Sequence, residues 1–374
     1  MDLCDLAPRY IKSIAPYQPG KPISELAREM GLAEGDIVKL ASNENPLGVS
    51  PLAREAMARA LPDLARYPDG NGFELKQSLS RRFGVSTDCM VLGNGSNDVL
   101  ELAARAFLAA GDKAVYSQHA FAVYPLATQA AGAIGIEVPA RDFGHDVDAM
   151  ARAIDDRTRI VFIANPNNPT GTLLGAEALY AFLRAVPQRV AVVLDEAYNE
   201  YLAESLRSDS IGWLREFPNL ILTRTFSKAY GLAGLRVGYA FAHPEVADLM
   251  NRVRQPFNVN NLALAGAAAA IHDAAFVRES FELNAAGMAQ IVEGLRRLKL
   301  AFIPSSGNFL AFECGDGAAV FRQLLRRGVI VRPVGGYGMP RHLRVSIGLA
   351  SENARFLEAL AESLGDAPGA GRPG

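Results

Sequence analysis

The sequence predicts an α/β protein in which a large domain with a mostly parallel central sheet precedes a smaller α+β domain toward the C-terminus. Three observations carry this reading. From about residue 50 onward, helical patterns alternate with short β-rich runs. Several of those runs are continuously apolar, Val190-Ala191-Val192-Val193-Leu194 most clearly, as a strand covered by helices on both faces requires. After Pro256 the pattern changes to long helical stretches followed by short strands.

Taken in order, residues 1–45 have little strand character and carry Pro8, Pro16, Pro19 and Pro22, which predicts an arm that packs on other elements. Residues 46–258 form the large domain, with strands over Met90–Leu92, Ala114–Tyr116, Arg159–Ile163, Val190–Leu194, Asn219–Leu222 and Gly238–Phe241. Residues 259–364 form the small domain, with helices over Leu262–His272 and Phe276–Leu298 and strands near Phe309–Phe312, Val329–Arg332 and His342–Ser346. The tail, 365–374, is rich in Gly, Pro and Ala and is expected to be disordered.

Composition narrows the function classes. A chain of 374 residues that is 49% hydrophobic can bury a large core. Its net charge of −2 and its scattered Lys and Arg leave no polybasic surface for nucleic acid. Three cysteines with no CxxC spacing fit a reducing compartment without structural zinc, and no metal is expected. The acidic start Met1-Asp2-Leu3-Cys4-Asp5 does not read as a secretory leader. No apolar run approaches the roughly 20 residues of a membrane span. The expectation is a soluble, cytoplasmic protein.

Four segments place polar residues directly after a strand, where open α/β sheets gather ligand groups. In Val91-Leu92-Gly93-Asn94-Gly95-Ser96-Asn97 a Gly-rich turn opens a helix, whose free N–H groups at Ser96 and Asn97 suit an anion. Ile163-Ala164-Asn165-Pro166-Asn167-Asn168-Pro169-Thr170-Gly171 is dense in turn formers, and Asn168 can offer its amide to an oxyanion. Leu194-Asp195-Glu196-Ala197-Tyr198 ends an uncharged strand with a carboxylate, a costly placement unless a cation or several donors meet it. Between the next two strands, Thr225, Ser227 and Arg236 offer two hydroxyls and a guanidinium fork around Lys228. Each segment has an ordinary reading as a turn or a solvated loop; their agreement singles them out.

The ordered set Asn165-Pro166-Asn167-Asn168-Pro169-Thr170-Gly171, Asp195-Glu196-Ala197-Tyr198, Ser227-Lys228-Ala229 and Leu232-Ala233-Gly234-Leu235-Arg236-Val237-Gly238 resembles the fold-type-I pyridoxal-5′-phosphate (PLP) aminotransferases. Within them the chain is similar to the histidinol-phosphate aminotransferase family from Pro16-Tyr17 to the last helix. The resemblance implies PLP as cofactor, held as a Schiff base by Lys228, which also shuttles the proton during the reaction. It implies that Asp195 keeps the pyridine nitrogen protonated so that the ring acts as an electron sink. Asn168 and Tyr198 would hydrogen-bond the cofactor's ring oxygen, and Phe121 would stack on the ring, where many relatives have tyrosine. Ser96, Asn97, Thr225, Ser227 and Arg236 would cup the phosphate. Tyr67, in Arg66-Tyr67-Pro68-Asp69-Gly70, would reach the cup from the other subunit of a homodimer.

The same resemblance places Tyr17, Asn168, Arg332 and Arg344 around the substrate. Two guanidinium forks can divide the oxygens of a phosphate ester, and Arg344 can anchor a carboxylate. This implies interconversion of histidinol phosphate plus 2-oxoglutarate with imidazole-acetol phosphate plus glutamate, through ping-pong kinetics. Motifs do not separate that activity from an aromatic-amino-acid aminotransferase. A PLP-dependent decarboxylase and a non-catalytic PLP-binding regulator remain further alternatives, the last lacking any added helix-turn-helix pattern.

Overall fold

Alternation of side chains along each central strand divides the large core into two halves, one on each side of a single sheet. The computed structural model describes residues 3–16 and 20–365. In chain order the strands are β1 (Val38–Lys39), β2 (Met90–Gly93), β3 (Lys113–Ser117), β4 (Ile134–Val138), β5 (Thr158–Ala164), β6 (Ala191–Asp195), β7 (Leu220–Thr225), β8 (Gly238–Ala242), β9 (Phe302–Ile303), β10 (Phe309–Glu313), β11 (Val329–Ile330), β12 (Arg332–Pro333) and β13 (His342–Ser346). The large sheet has the order β2-β8-β7-β6-β5-β3-β4. Neighbours from β7 to β4 pair parallel, while β8 runs antiparallel to both β7 and β2.

Val161, Ile163, Val192, Leu194, Leu220 and Leu222 pack into the core on one face of this sheet. Ile160, Phe162, Val193 and Ile221, one residue out of step, pack into the core on the other. This is why these strands read as unbroken apolar runs. Burying each such side chain contributes roughly 1.5–3 kcal/mol. A charge at Val193, which is fully buried, would break the layer.

Register then sets up the functional edge. Ala164 lies beside Asp195, Asp195 beside Thr223, and Gly238 beside both Thr225 and Gly93. The C-terminal ends of the parallel strands and the start of β8 therefore converge on one edge of the sheet.

The second sheet, β12-β13-β10-β9, is antiparallel. The expected strand over Val329–Arg332 divides in two. Its first half, β11, pairs parallel with β1, and Arg332 and Pro333 pair with β13. The N-terminal segment thus does contribute a strand, and Leu26, Ile37 and Ala41 pack with Leu325 and Ile330. β4 was not anticipated because it is an edge strand, partly exposed along Ile134-Gly135-Ile136-Glu137.

Helix Asn261–Ala270 buries Ala263, Ala267 and Ala270 in the same core as Ala53, Leu75 and Leu79. Helix Ala274–Arg297 packs Val277 against that core and Ile291 and Leu295 into the core of the second sheet. We propose that the domain division runs through this helix rather than at residue 258. Tyr17 and residues 366–374 lie outside the described residues; Gly365 ends the final helix, Ala350–Gly365. No described helix is long and apolar enough to cross a membrane. Cys89 and Cys314 are free thiols.

Candidate active site

Lys228 and Asp195 leave adjacent parts of the sheet edge and both line one cavity. Lys228 Nζ donates to the Ser42 carbonyl at 3.1 Å and lies 5.8 Å from the centroid of the Tyr198 ring. Burial, followed by the positive charge of Arg344, pulls its ammonium down to about 7. An amine so placed is substantially neutral near neutral pH, which an exposed lysine is not.

Asp195 is only 5% exposed. Its Oδ2 accepts from the Tyr124 hydroxyl at 2.9 Å and its Oδ1 from the Thr223 hydroxyl at 3.1 Å. Burial pushes the carboxyl up to about 6 in spite of these donors. Tyr124 is fixed in turn by stacking on Phe162, ring centroids 4.8 Å apart. All of the donors to Asp195 are neutral, so the site holds a buried carboxylate whose natural complement is a cationic ligand group.

An anion cradle forms at the other end. The helix Ser96–Phe107 begins after Gly95 with no side-chain cap on its first turn, so its N–H groups face the cavity free to bind. Arg236, at φ 56°, directs Nη1 to Ser227 Oγ at 3.3 Å and the Ala233 carbonyl at 3.2 Å. The Ser227 amide donates to Thr225 Oγ1 at 3.1 Å. Two glycines allow this close approach. A Cβ at Gly95, where φ is 82°, would lie 2.3 Å from Arg236 Nη2, and one at Gly238 would lie 2.4 Å from the Ser96 nitrogen.

The opposite wall comes from the Asn-Pro loop and the second sheet. Asn165 is locked to Leu174 by two bonds, Nδ2 to the carbonyl at 3.1 Å and Oδ1 from the amide at 2.8 Å. Asn167 Nδ2 donates to the His119 carbonyl at 3.1 Å. Between them these contacts fix Asn168, whose Oδ1 accepts from Arg344 Nη1 at 2.5 Å. With its oxygen engaged, Asn168 has its Nδ2 donor left for a ligand. Arg344 Nη2 donates to the Ala41 carbonyl at 2.8 Å, and the guanidinium lies 5.1 Å above the Phe309 ring. Arg332, Phe121 and Tyr198 complete the wall.

Ser96, Asn97, Phe121, Asn168, Asp195, Tyr198, Thr225, Ser227, Lys228, Arg236, Arg332 and Arg344, each expected from sequence, thus line a single cavity. Tyr67 does not join them within one chain. It is 82% exposed and stacks on Phe257 with centroids 4.8 Å apart. Tyr17 is outside the described residues. Sequence reasoning missed Ser42, Asn43 and Tyr337, which also line the cavity, and Tyr124 and Thr223, which hold Asp195. For Asn43 a signal existed: Ser42-Asn43-Glu44-Asn45-Pro46 is a turn-forming run, and asparagine tolerates the left-handed backbone found there, φ 54°.

With this geometry in place, similarity to known proteins becomes interpretable. Residues 35–360 match the model of the aminotransferase class I and II family. Histidinol-phosphate aminotransferase 2 of Nitrosospira multiformis is 64% identical over 99% of this chain and 95% of its own length. The histidinol-phosphate aminotransferase of Methylobacillus flagellatus is 66% identical over 97% and 98%. Among solved structures, histidinol-phosphate aminotransferase from Sinorhizobium meliloti in complex with pyridoxal-5′-phosphate superposes with a TM-score of 0.88 at 29% identity, covering 96% of this chain and 97% of that one.

Proposed function

The chain belongs to the aminotransferase class I and II family, and from that premise we propose that it transfers the amino group of histidinol phosphate to 2-oxoglutarate, giving imidazole-acetol phosphate and glutamate, in L-histidine biosynthesis. The observation that carries this is identity of 60% or more, over nearly the whole chain, to relatives bearing that name. The cofactor is pyridoxal-5′-phosphate, and the residues present fit it. A buried carboxylate with only neutral donors, a depressed lysine and an uncapped helix start face one another across the cavity. When bound, PLP supplies an electrophilic aldehyde and a ring that withdraws electrons from the substrate carbon.

The roles of individual residues follow from their chemistry. Lys228 holds the aldehyde, and its low proton affinity keeps the amine nucleophilic near neutral pH. With its Nζ unlinked, Lys228 would be a neutral base able to take the proton from the substrate carbon. Asp195 would pair with the protonated ring nitrogen, which would offset the cost of its own burial. Ser96, Asn97, Thr225, Ser227 and Arg236 bind the cofactor phosphate. Asn168 Nδ2 and the Tyr198 hydroxyl would donate to the ring oxygen, and Phe121 would cover the ring face.

Arg332 and Arg344 enter from the second sheet and bind the substrate anion, with Tyr17 from the N-terminal arm adding a donor. A phosphate ester with nearly two charges uses both guanidinium groups, and glutamate in the second half-reaction uses Arg344. We further propose a cytoplasmic homodimer in which Tyr67 projects into the partner's phosphate cradle. The exposed stack of Tyr67 on Phe257 supports this, since such aromatic pairs are normally covered.

A spectroscopic titration tests the whole reading. The visible band of the holoprotein should disappear on adding histidinol phosphate and return with 2-oxoglutarate, and borohydride should fix a pyridoxyl group on Lys228. Faster turnover of phenylalanine than of histidinol phosphate at equal concentration would overturn the substrate assignment.

A further inference from the structure

Ser42 and Asn43 form a short bridge over Lys228 and Tyr198. The Ser42 carbonyl accepts from Lys228 Nζ at 3.1 Å, and Asn43 Nδ2 donates to the Tyr198 hydroxyl at 2.9 Å. Asn43 is only 1% exposed and holds a left-handed backbone at φ 54°. Such strain persists only where the surroundings over-determine it, and here they do. The Asn43 amide donates to Ser346 Oγ at 2.8 Å, the Ser346 hydroxyl donates to Asn43 Oδ1 at 2.9 Å, and Asn308 Nδ2 donates to the Asn43 carbonyl at 3.1 Å. Asn45 ties the next residues down through Ala229 and Ser280.

These bonds fix a direction. Ser346 accepts from the Asn43 N–H and has one hydrogen of its own, which goes to Oδ1. The side-chain oxygen of Asn43 therefore faces Ser346, and its NH₂ group faces Tyr198. Having accepted from Asn43, the Tyr198 hydroxyl keeps its single proton for another partner. Among the described residues no acceptor takes it, and Tyr198 lines the cavity.

We propose that Asn43 is a positioning residue for the transamination: its amide, oriented by Ser346, occupies the acceptor side of the Tyr198 hydroxyl and turns the phenol proton into the cavity. There it meets the cofactor's ring oxygen, so the inference rests on the functional reading above. Without Asn43 the hydroxyl can rotate to present lone pairs, which an anionic oxygen repels. The device also couples the two parts of the chain, because Ser346 and Asn308 belong to the second sheet and its preceding loop while Tyr198 follows β6.

The test is the pH at which the visible band of the holoenzyme changes. A donor to the ring oxygen stabilises its anionic form when the Lys228 linkage is unprotonated, so losing the donor raises the midpoint. Asn43→Gly suits the left-handed backbone and removes only the amide. It should move the midpoint up by about one pH unit, the scale of one hydrogen bond. Tyr198→Phe should do the same, and Asn43→Gly should add nothing in that background.

The charged and titratable groups acting on Tyr198 are Arg344, Asp195, Tyr337 and the nearby Lys228, and those acting on Lys228 include Arg344, Asp195, Arg236 and Glu44. They are unchanged in these variants and act alike on every midpoint. If Asn43→Gly does not fold, Asn43→Asp keeps the shape but accepts where the amide donates. Its upward shift should then be smaller in the Tyr198→Phe background than in the parent. An unmoved midpoint in Asn43→Gly, or equal shifts with and without the Tyr198 hydroxyl, would overturn the proposal. A parent protein with no pH-sensitive band would instead sink the functional reading.

Discussion

Arg344 Nη1 lies 2.5 Å from Asn168 Oδ1, although 176 residues separate them in the chain. The contact joins β13 to the Asn-Pro loop and orients both side chains for ligands, leaving Asn168 its NH₂ donor. Replacing Arg344 by lysine keeps the charge but not the fork that serves Asn168, the Ala41 carbonyl and an incoming anion together. We expect Arg344→Lys to lower kcat/KM for glutamate by about 10- to 100-fold, with most of the change in KM. Steady-state kinetics over a glutamate series measures it; a KM unchanged from the parent would remove Arg344 from the substrate site.

Asp195 should cost the cofactor-free protein stability that the loaded protein recovers. Burial holds its carboxyl up at about 6 in the fold, against about 3.9 for an exposed aspartate. The folded state thus holds the proton more tightly, and stability falls as pH rises through about 6. Cofactor-free Asp195→Asn should be more stable than the parent at pH near 8 by about 1–3 kcal/mol, and the gap should close near pH 4. Its turnover with cofactor should collapse, because an amide cannot hold the ring nitrogen protonated. Urea unfolding at the two pH values decides; a variant less stable than the parent at the higher pH contradicts the argument.

Much of this site was legible in the sequence because strand ends are legible. Continuous apolar runs such as Val190–Leu194 locate buried strands, and polar residues directly after them fall on the ligand edge by geometry alone. Asp195, Asn168 and the Thr225–Arg236 group were found that way, and the role of Lys228 came from the ordered set of motifs. What stayed hidden depends on tertiary contact. Tyr124 sits in an apolar helix, and only its meeting with Asp195 gives it meaning. Asn43 draws its role from Ser346, some 300 positions away. The split at Val331 was invisible because Val329–Arg332 has strand character throughout, and which sheet each half joins is decided by partners elsewhere, β1 and β13.

Lys228 should make cofactor uptake pH-dependent in an unusual range. Burial and Arg344 bring its ammonium down to about 7. The rate at which cofactor-free protein takes up pyridoxal-5′-phosphate should therefore rise about tenfold per pH unit below 7 and level off above it. An ordinary lysine would keep gaining toward pH 10. Arg344→Gln removes the second influence and should move the plateau to higher pH. Stopped-flow absorbance follows both; a rate still climbing steeply between pH 8 and 10 in the parent would mean that the amine is not depressed.

The Arg224–Glu196 pair lies behind the site, on the other side of the sheet from the cavity-lining Thr225. Arg224 donates to Glu196 Oε2 from Nε at 3.0 Å and from Nη2 at 2.7 Å, with the two residues 6% and 4% exposed. Glu200 is buried alongside, and its carboxyl is raised by burial and lowered by Arg224. Removing Arg224 alone strands two carboxylates in a dry environment, so Arg224→Met should cost about 3–5 kcal/mol. Glu196→Gln added to it should restore part of that loss, since a neutral amide replaces an uncompensated charge. Thr223, which holds Asp195, and the cavity-lining Thr225 lie on the opposite face by strand alternation and are untouched, so the folded fraction should keep its kcat/KM within about a factor of three. Urea midpoints combined with kinetics on the folded protein separate the two effects. A single variant as stable as the parent would show that the pair carries no net stabilisation, and a large fall in kcat/KM would show that its influence passes through the sheet to the active site.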